Sequence, residues 1–355
     1  MKINGDMLIL ARDFREITQK ELAKKANVTQ STIAKIEGGL RTEISDELAD
    51  DLSDALGFSK EFLSQEEELL SYGSSAYFYR KRATMPAADR KRIHSIVNLH
   101  RIAIRQYVKL VDIEPSRPLP QLDIEDYGQS AAKVAKAVRS MWTLPDGPIR
   151  DLTALMESAG IIIVPCDFST RLFDATSLRL SDMPPMIFIS GNLPGDRWRY
   201  TLAHELAHLI MHAIPHDRME EEADDFAAEL LTPAEEITPQ LIQVRTWRIR
   251  ELAKLKLFWR VSFRMLVLRA SRLRVISKED ARSAYIALAP DRMVEPVPIA
   301  REETSSFVRV INAIKDDLNF KLDGLRELIK WPEDVTGKLL PSSSASEPKL
   351  RLVQA

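Results

Sequence analysis

The chain has 355 residues, more than one hydrophobic core serves, so two or three domains are expected. Its hydrophobic (45%) and charged (29%) fractions are those of an ordinary globular protein. A formal net charge of −2 excludes a polycation, so nucleic-acid binding must come from local patches. A single cysteine, Cys166, excludes an internal disulfide framework and a Cys-rich zinc finger, and reads as a small apolar residue at a strand end. The start, Met1 to Asp6, lacks the apolar core of a signal peptide. No apolar run nears the ~18 residues of a membrane span, so a cytoplasmic chain without membrane contact is expected.

Residues 1–65 predict short helices, with apolar positions at helical spacing in Met7-Leu8-Leu10-Ala11, Leu22-Ala23-Ala26, Ile33-Ile36 and Leu48-Leu52-Leu56. Thr18 and Thr29 suit N-caps, and Glu21 completes a capping box with Thr18. Ala23 lets two helices approach, and Asn27 falls at the turn, where a left-handed backbone favours Gly or Asn. The second helix exposes Gln30, Ser31, Thr32 and Lys35, side chains that read base edges or bind phosphate, and Gln19 is placed for a phosphate contact. This segment resembles the XRE (Cro/cI-like) family of helix-turn-helix domains, which implies an operator DNA as partner. Residues 1–64 carry nine Lys/Arg against twelve Asp/Glu, so a helix-turn-helix used for protein contact stays open.

Residues 66–125 predict a linker with a basic helix, broken by Pro115, Pro118 and Pro120. The basic runs Tyr79–Arg82, Arg90–Arg92 and Arg245–Arg264 read as solvated faces or a surface for an acidic partner, with added phosphate contacts as the alternative. Helices follow over 127–142 and 152–159, the second ended by Gly160. Strands are expected at 161–165, 177–180 and 185–190, and helices at about 196–213, at about 218–231 and through 241–273. The stretch 281–332 predicts helices of unassigned role, and 333–355, with its Pro341-Ser-Ser-Ser run, predicts a tail without order.

The chemistry concentrates in His204-Glu205-Leu206-Ala207-His208, an HExxH motif. Residues four apart share a helix face, so His204 and His208 grip one metal ion and Glu205 stands beside it to take a proton from water. Catalytic zinc wants three protein ligands, so a third is needed nearby. Met211 and Ile214 stand where the metzincin pattern needs Gly and His, which excludes that class. The acidic helix Met219–Leu231 is the better source. Glu220 and Asp224 share a face, which suits a ligand and a carboxylate that orients a ligating histidine. Glu221 faces away, and Glu222, beside Phe226, reads as a solvated carboxylate. His212 reads as a capping or packing residue, and His216 as a loop histidine.

The runs Arg199–His212 and Glu220–Pro233 resemble the ImmA/IrrE family of metallopeptidases, over roughly residues 125–280. The resemblance implies His204, His208 and Glu220 as metal ligands and Glu205 as the base. Ala207 and Thr232 depart from the family's common Gly and Met, and neither is a proposed ligand. It also implies a zincin-like α+β peptidase domain with a small sheet at 126–280, behind the all-α N-terminal domain, in a mostly helical α+β chain. The expected cofactor is zinc, one ion per chain, with manganese or iron as alternatives. The implied activity is endopeptidase cleavage of a protein, a helix-turn-helix repressor or an antitoxin, that relieves repression. A DNA-binding repressor or antitoxin with a non-catalytic metal- or partner-sensing domain stays open, as do self-cleavage within 111–125 and a homodimer.

Overall fold

The computed structural model describes residues 1–70, 85–112, 114–288, 295–317, 322–339 and 351–352. It is a mostly helical α+β chain in two compact units. The first takes Met1–Glu114, Phe168–Phe173 and Ser306–Ala355. The second takes Pro115–Asp167 and Asp174–Ser305.

The first unit opens with α1 (Gly5–Phe14), α2 (Gln19–Lys25), α3 (Gln30–Glu37), α4 (Asp46–Leu56) and α5 (Lys60–Leu63). Side chains of Asn4, Thr18, Thr29, Ser45 and Ser59 cap their N-termini, and Thr18 with Glu21 forms the expected capping box. Asn27, at the turn between α2 and α3, has φ of 49°, the left-handed geometry that asparagine tolerates better than most side chains. Met7, Leu22, Ala23, Ile33, Ile36, Leu52 and Phe62 are buried between these helices.

Helix α6 (Ala87–Val108) stands where the basic helix was expected, and it packs into the first unit. Behind its basic start it buries Ile93, Ile96, Val97, Leu99, Ile102, Ala103 and Ile104. His94, Ser95, Asn98, His100 and Arg101 are buried between them, so the helix is covered on several sides. Helix α1 packs on it, and so do α15 (Ser306–Asp317) and α16 (Leu322–Ile329) from the far end of the chain. Helix α17 (Glu333–Leu339), with Val335 and Thr336 buried, begins where a tail without order was expected. The run from Pro341 and the basic run Tyr79–Arg82 lie outside the described residues. The two-residue strand β1 (Val111–Asp112) pairs antiparallel with the later Arg351–Leu352, β5.

His100 of α6 is buried with its ring edge-on to Phe307 and Trp331. Burial pushes its imidazole down to about 3, so it stays neutral in the folded unit. In the unfolded chain it protonates near the ordinary ~6.5. The unfolded state therefore binds the extra proton, and stability falls as pH drops below ~6.5, until the folded pKa is reached. Between about pH 7 and about pH 4.5, His100→Phe is expected to lose less melting temperature than the wild type. Parallel losses in the two proteins would refute this.

The second unit builds on a three-stranded sheet of order β2 (Ile162–Cys166), β4 (Met186–Ser190), β3 (Ala175–Leu178). Strand β2 runs parallel to β4 and β3 antiparallel to it. Burial pushes the Cys166 thiol well above its ordinary pKa, consistent with a packing role. Gly128 adopts a left-handed backbone after a 3-10 turn, Ile124–Tyr127, so the helix expected from 127 starts later, as α7 (Ala131–Met141). Helix α8 (Leu152–Ser158) follows. Helix α9 (Gly195–Met211) lies against β3 and β4, and α10 (Met219–Leu231) packs on α9 and α7. Helices α11 (Ala234–Ile242), α12 (Ile249–Trp259), α13 (Phe263–Arg272) and α14 (Lys278–Leu288) complete the unit.

The region expected as one helical block from 281 divides between the units at Ser305. Its first part is a strap against α9. A Cβ on Gly195 would collide with the carbonyl oxygens of Ile299 and Ala300, so only glycine lets the strap lie this close. Glu302 of the strap accepts from Arg199, and from Thr153 N and Oγ1 at 2.9 Å. Lys256, expected on a solvated basic face, is fully buried and paired with Asp196 and Glu295. A buried ammonium requires such carboxylates, and they arrive from distant parts of the chain. Among the described residues no helix is long and apolar enough to cross a membrane.

Candidate metal centre

Helix α9 places His204 and His208 one turn apart, with their Nε2 atoms 3.2 Å from each other. Helix α10 brings Glu220 in its first turn to meet them: Oε2 is 3.8 Å from His204 Nε2 and Oε1 is 3.5 Å from His208 Nε2. Ligands about 2.0–2.2 Å from one tetrahedral ion lie roughly 3.3 Å apart, so this set has the size of a divalent-metal cage. His208 is buried, while His204 and Glu220 are part-exposed and leave a way in. Of the neighbouring acids, Glu221 is exposed and outside the set, as its helix position requires.

Asp224 lies one turn after Glu220. Its Oδ1 is 2.9 Å from His204 Nδ1 and accepts from the Tyr200 hydroxyl at 2.8 Å. The contact with Nδ1 fixes the His204 ring with Nε2 facing the cage. Burial and the adjacent Asp224 carboxylate hold Tyr200 far above its ordinary pKa, so it remains a donor. Burial alone would lower the pKa of His204, but the Asp224 bond and the Glu205, Asp224 and Glu220 carboxylates outweigh it and raise the value. The same field that favours a proton here favours a cation. The donor set therefore suits a divalent metal by geometry and by charge.

Glu205 is buried, next in the chain to His204, and its Oε2 accepts from Ser177 Oγ at 2.7 Å. Ser177 lies in β3, and nothing in the sequence marked it. His212 caps and packs the helix end as expected, whereas Glu222 reads differently from expectation. His212, at the end of α9, has Nδ1 2.8 Å from His208 Nδ1 and Nε2 3.3 Å from Glu222 Oε2. Glu222 is not a solvated carboxylate: it is 5% exposed and covered by His212 and His216. Burial pushes the His212 imidazole down to about 4, so it is neutral.

In the N-terminal unit, Gln30, Ser31 and Lys35 of α3 are exposed. Thr32 is half-buried, and its hydroxyl is 3.0 Å from that of Thr29. Gln19 Nε2 donates to Glu37 Oε2 at 2.7 Å, which ties α2 to α3. Arg12 of α1 donates to the same carboxylate, and Lys35 is the basic side chain of α3.

An HExxH helix crossed by an acidic helix and backed by a small sheet defines a metallopeptidase-like domain, and here it shares a chain with a helix-turn-helix domain. Residues 156–271 match the IrrE N-terminal-like domain of the peptidase families, and residues 10–63 match the helix-turn-helix family. The two matches place an ImmA/IrrE-type peptidase domain behind an XRE-type helix-turn-helix domain. No curated protein and no solved structure matches the chain.

Proposed function

We propose that this protein is a zinc-dependent endopeptidase and transcriptional regulator. It cuts a helix-turn-helix repressor or an antitoxin and so relieves repression under stress or mobile-element control. The observation that carries this reading is the convergence of His204, His208 and Glu220 beside a buried Glu205.

His204, His208 and Glu220 would hold the ion, and Asp224 would keep His204 in the ligating tautomer. When bound, a divalent ion supplies Lewis acidity to an attacking water and to the scissile carbonyl. Glu205 takes the proton of that water and passes it to the leaving amine nitrogen. Ser177 donates to one oxygen of Glu205 and leaves the other for the proton. The apolar cluster behind α9, with Ala203, Leu206, Ala207 and Ile210, keeps that side dry. Gln30, Ser31, Thr32 and Lys35 face operator DNA, with Gln19 near a phosphate.

Metal content by elemental mass spectrometry tests the ligand set. One tightly held ion is expected in the wild type and in Glu221→Gln, and none of it in Glu220→Gln. Equal tight binding in all three proteins would refute the assignment of Glu220.

A further inference from the structure

The turn after α9 carries two histidines and a carboxylate that the proposed reaction does not use. His212 closes α9, His216 lies in the loop after it, and Glu222 sits in the first turn of α10. His212 Nε2 is 3.3 Å from Glu222 Oε2, and His216 Nε2 is 3.5 Å from the same oxygen. One donor atom from each residue lies within 4.8 Å of the other two.

These separations discriminate. A good N–H···O bond spans about 2.9–3.0 Å, so the His216 contact is too long for one. Two ligands about 2.0–2.2 Å from one tetrahedral ion lie roughly 3.3 Å apart, which both contacts approach. They match the spacing of the His204–His208–Glu220 set in the same fold. Burial supports this too. His212 and Glu222 are buried and pre-placed, while His216 is open to solvent and provides entry. The nearest competing cation is Arg218, an exposed side chain whose Nε is 3.8 Å from the other oxygen, Oε1.

We propose that His212, His216 and Glu222 form a second divalent-metal site, for zinc or another ion that accepts two imidazoles and a carboxylate. The site stands on its own donor geometry. Its effect on the first site rests on the reading given above.

That effect follows from the His208–His212 contact. A neutral imidazole ligates through one nitrogen and keeps its proton on the other. With His208 ligating through Nε2, its Nδ1–H donates to His212 Nδ1, and His212 carries its own proton on Nε2. An ion at the second site needs the Nε2 lone pair, so His212 must carry its proton on Nδ1 instead, where it faces the Nδ1–H of His208 and the hydrogen bond between the two rings is lost. The two ions therefore compete through one hydrogen-bonded pair, and the antagonism is reciprocal. The second site fills at higher metal concentration and then weakens the first.

Titration of the metal-free full chain with cobalt(II), followed by its visible absorbance, tests this. The wild type is expected to show two classes of ion, the second at least about tenfold weaker. His216→Ala alters an exposed loop residue and should lose the weak class while keeping the tight one at unchanged affinity. Glu220→Gln should lose the tight class and keep the weak one. Any pattern in which His216→Ala costs no ion overturns the proposal. An ion that Glu220→Gln retains but His216→Ala loses supports the second site, whatever becomes of the first.

Discussion

Glu205→Gln is expected to lower peptide hydrolysis by about 10²–10⁴-fold while leaving the tightly held metal in place. Glu205 lies outside the set of donor atoms that converge on His204, His208 and Glu220, so the cage survives the change. The amide has the shape of the carboxylate and still accepts from Ser177 Oγ, so packing survives too. What is lost is the capacity to take a proton from the attacking water. The check pairs two readings on one preparation: fragments of a candidate helix-turn-helix substrate by mass spectrometry, and bound metal by elemental analysis. Cleavage within about tenfold of the wild type would remove Glu205 from its role as base. Loss of metal together with activity would show instead that the residue supports the cage.

Local rules made part of this molecule legible. The i, i+4 spacing of His204 and His208 needs only a helix, and the Thr18–Glu21 box and the Asn27 turn depend on neighbours in the chain. What stayed hidden depends on contacts between distant segments. Ser177 meets Glu205 only because β3 pairs with β4 in one register, Ser177 opposite Ile187, and α9 lies against that sheet. A serine in a four-residue strand carries no mark of this. Glu222 reads as solvated from its own helix, and the histidines that bury it come from the preceding helix end. The helix behind Arg90–Arg92 was legible but its burial was not, because burial on nearly every side leaves no amphipathic period to find. Its cover by α15 and α16 joins segments roughly 200 residues apart, which no periodicity announces.

The strap shows the same dependence on distance and gives the largest expected effect on stability. Arg199 sits on α9 five positions before His204, is fully buried, and pairs with Glu302. Burial pulls its guanidinium below the ordinary pKa despite the attraction of Glu302. Glu302→Ala leaves that cation with the Ile149 carbonyl, 2.7 Å away, and with no buried carboxylate bonded to it. It also removes the acceptor for Thr153 N in the first turn of α8. Breaking one side of a buried ion pair costs about 3–5 kcal/mol. For a unit of this size, about 2–4 °C per kcal/mol places the loss of melting temperature on the order of 10 °C. Arg199→Met with Glu302→Leu removes both charges and should recover much of the loss, because no charge is then stranded. A melting temperature for Glu302→Ala within about 2 °C of the wild type would mean that the pair is solvated and not structural. If the loss is large, the strap is a brace for the metal helix: it holds α9 from its N-terminal end, while the His204–His208 turn meets Glu220 further along.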